Sequence, residues 1–175
     1  MRKRHLLALT ALVLAAMGTW ALAASAGGSD ADAARNASAK FANLDVAKGA
    51  GYGLFIDING KACIAMPGLG AMGVHYVNGS LVGDPGVDPL RPEALVYAPV
   101  NGKLQLAALE YITVKSAWDA HHSSPPTLFG QPFQLTLAPN RFGLPDFYSL
   151  HAWLYKNNPA GMFMPWNPDV KCGDG

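Results

Sequence analysis

The spacing of apolar positions changes once along the chain. Phe41, Leu44 and Ala47 recur at every third residue, the mark of a narrow helical stripe. Ser38 stands where an N-cap belongs, and Gly49 and Gly51 close the segment, so the pattern predicts a helix over 39–50. From Tyr52 onward, short runs of Val, Ile, Tyr, Phe and Leu are punctuated by Gly, Pro and Asn. That text predicts strands near 54–58, 62–65, 74–77, 94–98, 103–114, 133–137 and 147–155. Asn59-Gly60 and Asn101-Gly102 read as two-residue hairpin turns, the second pairing 94–100 antiparallel with 103–114. Residues 83–92 and 123–126 are expected loops, and Pro159, Pro165 and Pro168 keep the tail irregular. Strands do not alternate with helices, which disfavours a parallel α/β sheet. The prediction is an α+β fold: one N-terminal helix packed on a strongly bent antiparallel sheet or partly closed barrel, one domain over 38–175.

The most informative strand is 103–114. Read with period two, one face carries Leu104, Leu106, Ala108, Glu110, Ile112 and Val114; the other carries Lys103, Gln105, Ala107, Leu109, Tyr111 and Thr113. Glu110 therefore projects from an otherwise apolar face, where a carboxylate is costly unless it is paired, hydrogen-bonded or protonated. Two other strands carry one central histidine each among apolar and aromatic neighbours, His75 and His151. If the sheet curls, the three converge. Two imidazoles and a carboxylate form a ligand set for a divalent metal with positions left open; without a metal, a Glu–His pair does general acid/base chemistry. Tyr111, next along the strand, joins His75, Glu110 and His151 as a candidate ligand-binding residue. The leading expectation is a small-ligand or metal-binding domain with a pocket around the trio. The alternatives are a metal-dependent or acid/base hydrolytic enzyme, with Glu110 as the candidate catalytic group, and an envelope interaction protein without a pocket.

Other motifs are weaker. Gly68 to Gly73 spells G-x-G-x-x-G, but a short strand and Asn78-Gly79 follow instead of the helix that would hold a pyrophosphate. There is no G-x-S-x-G, H-E-x-x-H, P-loop or EF-hand text. His121-His122 precedes a Pro-rich loop and reads as exposed. Met66, Met72, Met162 and Met164 suggest copper only loosely, because their spacing is irregular and Met is a common core filler. Trp153, Phe163 and Trp166 suit core or tail packing better than a carbohydrate-binding face.

The N-terminus changes the setting. Arg2, Lys3, Arg4 and His5 precede an apolar run from Leu6 to Leu22, followed by Ala21-Leu22-Ala23 and Ala24-Ser25-Ala26. A basic region, an apolar region and an A-x-A site make a secretory signal. The expected division is a cleaved signal over 1–26, a flexible leader over 27–37 and the domain beyond, in a secreted or periplasmic protein. Without Arg2, Lys3 and Arg4, the 13 Lys+Arg fall to 10 against 12 Asp+Glu. With no basic stripe, nucleic acid is not an expected partner, nor is a membrane once the signal has gone. Cys63 and Cys172 are the only cysteines; in an oxidising compartment an even pair is expected to bridge.

Several stretches resemble a family of uncharacterised exported bacterial proteins. They are Ala39-Lys40-Phe41 through Gly51-Tyr52, Met72 through Asn78, Arg91 through Tyr97, Leu109-Glu110-Tyr111, Leu128 through Gln131, Leu150 through Trp153, Asn158 through Phe163, and Trp166-Asn167-Pro168. The resemblance implies export and a single domain, and no particular reaction.

Overall fold

A computed structural model describes residues 20–173, with side chains from 28 onward. The first 19 residues of the expected signal lie outside that range. Helix α1 spans Trp20–Ser38, a 3-10 turn follows over Ala39–Ala42, and α2 spans Leu44–Gly49. The predicted helix over 39–50 is thus two short pieces. Asn43 breaks it by taking an extended conformation and capping α2 through a hydrogen bond from the Asp45 amide. The segment 27–37, expected as a flexible leader, is helical instead. It is tied down at its end, where Ala34 and Ser38 are buried and the Ser38 and Tyr155 hydroxyls lie 2.8 Å apart.

The strands are β1 (Gly53–Leu54), β2 (Cys63–Met66), β3 (Gly70–Val77), β4 (Ala94–Val100), β5 (Lys103–Val114), β6 (Thr127–Leu128), β7 (Gln131–Pro132), β8 (Gln134–Thr136) and β9 (Phe147–Ala152); two short helices, α3 (Gly79–Val82) and α4 (Lys115–Asp119), interrupt them. Seven strands form one antiparallel sheet in the order β1-β3-β4-β5-β9-β8, with β2 sharing the outer edge of β3; β6 and β7 form a small hairpin apart. The α+β class is as expected, and the sheet is open, not closed into a barrel. None of the described helices is long and apolar enough to cross a membrane.

Asn101 and Gly102, at φ 50° and 74°, make the tight β4–β5 turn that the sequence calls for. Asn59-Gly60 does not make the corresponding hairpin. β1 and β2 each pair with β3, and the turn between them is organised by Asp57, whose Oδ1 accepts from the Asn59 and Lys61 amides.

One irregularity decides what faces where. Val96 pairs with Ala108 but Tyr97 pairs with Leu106, so Ala107 is an extra residue in β5, a bulge. Alternation therefore breaks there. Leu104 and Leu106 join Leu109 and Tyr111 on the helix side, whereas Ala108 and Ile112 lie in clusters on the other side. The uninterrupted period-two reading of 103–114 thus fails for its first half and holds from Ala108 onward.

The helix-side core is built on Phe41, Ala47, Tyr52, Val74, Tyr76, Leu95, Tyr97, Leu109, Tyr111 and Leu150. Three of its buried tyrosines satisfy their hydroxyls on backbone carbonyls: Tyr52 donates to Pro92, Tyr97 to Phe41 and Tyr111 to Pro89. The opposite face holds two smaller clusters, one around Val96, Ala108 and Trp153 and one around Ala94, Ile112 and Phe147.

The irregular tail is fixed on β3. Asn167 exchanges backbone hydrogen bonds with Ala71, and its side chain donates to Asn157 and accepts from the Asp169 amide. A Cys63–Cys172 disulfide ties the tail's end to β2 across 109 positions; constraining a loop of that size stabilises by about 4–5 kcal/mol in the chain-entropy account.

Candidate functional site

Glu110 lies directly across from His151 in the β5–β9 ladder, and His75 comes from β3, one strand beyond β4. All three side chains project from the sheet face opposite the helices, between its two apolar clusters. They are nearly sealed, at 3%, 5% and 3% exposure for His75, Glu110 and His151. His75 Nε2 is 3.3 Å from Glu110 Oε2, and His151 Nδ1 is 3.2 Å from Glu110 Oε1. The rings meet edge to face with centroids 5.5 Å apart, and His151 is backed by Trp153 at 5.9 Å.

The contacts leave imidazole nitrogens without partners. Among the described residues, neither nitrogen of His75 nor His151 Nε2 finds a hydrogen-bond partner, although all are buried; the His75–Glu110 approach is an electrostatic contact off the line a hydrogen bond needs. Buried polar atoms in native proteins are overwhelmingly paired, and exceptions concentrate where something else is to be bound. Burial pushes the Glu110 carboxyl upward, but the adjoining imidazoles, His151 first and then His75, more than reverse this and hold it well below the usual carboxylate range. The site therefore presents an ionised carboxylate flanked by two imidazoles.

One ligand atom from each of the three residues can be chosen so that all lie within 4.8 Å of one another, which makes the trio a group able to hold a metal ion. A four-coordinate ion with bonds of about 2.0–2.1 Å sets ligand atoms about 3.3–3.4 Å apart. Each imidazole already stands at about that distance from one carboxylate oxygen, His75 from Oε2 and His151 from Oε1, so small side-chain shifts bring one oxygen and both rings onto an ion. Three protein ligands leave a fourth position free.

That face opens into a cavity of about 260 Å³ whose floor includes His75, Glu110, Ile112 and Phe147 and whose walls are Phe55, Val77, Val82, Phe142 and Leu144. The 140s loop is held over it by Arg141, which donates through Nε and Nη2 to Asp57 Oδ2 at 3.0 and 2.6 Å and accepts the Ile58 amide on its carbonyl. The Lys61 amide, then the Arg141 guanidinium, keep the Asp57 carboxyl near 2. Phe142 packs edge to face on Phe147 at 5.7 Å.

Tyr111 is not part of this site. It projects from the other face of β5, donates to Pro89 and packs on Phe129. His122 stacks on Trp118 in an exposed position, with its Nδ1 on the Trp118 carbonyl. Met72 is buried while Met66, Met162 and Met164 are exposed. Trp153 is buried and donates to the Met164 carbonyl, so it offers no sugar-binding face. Two glycines of G-x-G-x-x-G serve packing: Gly70 and Gly73 lie in β3 with φ of 96° and 108°, against the tail and against β4.

Sequence reasoning missed Glu93. It is buried behind the site on the helix face, where its Oε2 accepts the Ile112 amide at 2.9 Å. Burial pushes its carboxyl up to about 8, so it is protonated at neutral pH. A carboxyl raised in the folded state adds stability that is complete below its unfolded value of 4.5 and is lost as pH rises through about 8. Urea unfolding is expected to show stability falling between pH 5 and 8 by on the order of 3 kcal/mol, and Glu93→Gln, which keeps the acceptor for Ile112, should flatten that dependence. An unchanged slope in the variant would assign the effect elsewhere.

Comparison with known proteins adds no assignment to this geometry: no family model, no curated protein and no solved structure matches the chain.

Proposed function

We propose that this is an exported small-ligand-binding domain built around a divalent metal centre, with His75, Glu110 and His151 as the protein ligands. The observation that carries the reading is the set of buried imidazole nitrogens, unpartnered and gathered about one ionised carboxylate. A structural cluster would spend those nitrogens on backbone or side-chain partners. Imidazole and carboxylate donors suit zinc and other first-row divalent ions. A fourth position facing a cavity is what a centre that receives a ligand requires, whether it only binds or also activates water. The disulfide supports work in an oxidising compartment.

Purified protein incubated with Zn(II) and then desalted is expected to retain one ion per chain by elemental analysis. His75→Ala is expected to retain none while keeping the circular dichroism of the natural chain. Absence of retained zinc, cobalt, nickel or manganese in the natural chain would overturn the reading.

A further inference from the structure

The cavity in front of the trio has a chemistry of its own. Apart from His75 and Glu110, the side chains around it are hydrocarbon: Phe55, Val77, Val82, Ile112, Phe142, Leu144 and Phe147. Among the described residues, no lysine, arginine, hydroxyl or amide side chain lines it. The nearest guanidinium, Arg141, is committed to Asp57. Side chains can therefore satisfy a ligand's polar atoms only at the floor, and most of the ligand must be apolar. Its size is bounded too. An apolar cavity of about 150 Å³ accommodates benzene, so 260 Å³ admits one ring with a short substituent and little more. The wall also favours a ring over a chain. Phe142 meets Phe55 at 6.3 Å, tilted, and Phe147 at 5.7 Å, edge to face, spacings at which an aromatic guest joins the cluster of rings. Ile112 and Phe147 are buried while Phe55, Val82, Phe142 and Leu144 are partly exposed, so the mouth lies at the latter and the guest enters ring-outward, oxygen-inward.

We infer that the cavity takes a molecule with a single aromatic ring and a short oxygen-bearing substituent, whose oxygen fills the metal's free position while the ring lies among Val82, Ile112, Phe142 and Phe147. This rests on the metal-centre reading for the grip on oxygen and on the cavity alone for the ring.

The test compares benzohydroxamate with acetohydroxamate, which share a metal-binding group and differ in the ring. Binding is measured by calorimetry on the zinc-loaded chain, with zinc content assayed after each titration. Benzohydroxamate is expected to bind about 30-fold tighter or more. Val82→Trp, which fills the mouth without touching the trio, should cut that ratio to about threefold or less while zinc content stays at one per chain. A ratio near one in zinc-loaded natural protein would overturn the aromatic occupant and leave the metal centre standing. Should the natural chain hold no metal, the centre fails, and benzyl alcohol on the metal-free chain decides the rest. Shifts of the Val82 and Ile112 methyl resonances would uphold the ring site, and unmoved resonances would overturn it.

Discussion

A chain carrying His75→Leu, Glu110→Leu and His151→Leu together is expected to be more stable than the natural protein, by about 1–4 kcal/mol in urea unfolding, and to hold no metal. The replacements are close in volume, and the surroundings are already apolar: Val96, Ala108 and Trp153 on one side, Ala94, Ile112 and Phe147 on the other. In the natural chain an ionised carboxylate and two imidazoles are buried at the centre of that face with three nitrogens unsatisfied. Their mutual attraction keeps the carboxylate ionised, yet well-packed apolar side chains in place of such a buried ionic cluster often give the more stable chain. A cluster kept against stability is the signature of use. If the triple variant instead lost several kcal/mol, the trio would be a structural element and the functional reading would fall with it. Added zinc sharpens the contrast: it should raise the natural chain's midpoint by mass action and leave the variant's unmoved.

Gly70→Ala is expected to be the most damaging single substitution outside the site. A Cβ at Gly70 would fall 2.1 Å from the Asn167 carbonyl oxygen and 2.6 Å from Pro168 Cα, at a φ of 96°. Both obstacles are backbone, so the tail must leave β3 or the strand must shift. We expect at least about 3 kcal/mol of destabilisation and new protease cleavage between Asn157 and Asn167 as the tail lifts. Gly68→Ala is the matched control. Its φ of 83° is also left-handed, but a Cβ there meets nothing within 4 Å, so only about 1–2 kcal/mol is at stake. Equal losses in the two variants would show that the tail contact contributes nothing.

How much of this could be read from the residues depends on how local each signal is. The β4–β5 turn was legible because Asn101-Gly102 selects its conformation without outside help. The trio was legible because a charged or imidazole side chain inside a short apolar run is conspicuous in any strand, and His75, Glu110 and His151 do meet. The Ala107 bulge left no mark: alanines at 107 and 108 look alike, and only the pairing partner decides which is extra. The same holds for Tyr111, whose neighbourhood resembles that of Glu110 in sequence but lies across the sheet. The cavity wall was also hidden, since Phe142 and Leu144 belong to a loop fixed by an ion pair 84 positions long. Glu93 escaped because it sits one residue before a strand, in text that reads as a polar loop edge, and its burial comes from elements far away in the chain.

The extra residue in β5 also separates two jobs within one ribbon. At Leu109 and Glu110 the strand is clamped on both sides, by β4 and by β9, and its orientation there decides whether the carboxylate looks at the histidines. From Lys103 to Leu106 it is clamped by β4 alone, and its leucines serve the helices. Excision of Ala107 would restore strict alternation, and the hairpin half, on the far side of the bulge from the doubly paired Leu109 and Glu110, is the one that would turn over. Lineages or designers are thus free to shorten, lengthen or repaint the hairpin tip while the business end of the same strand keeps its aim.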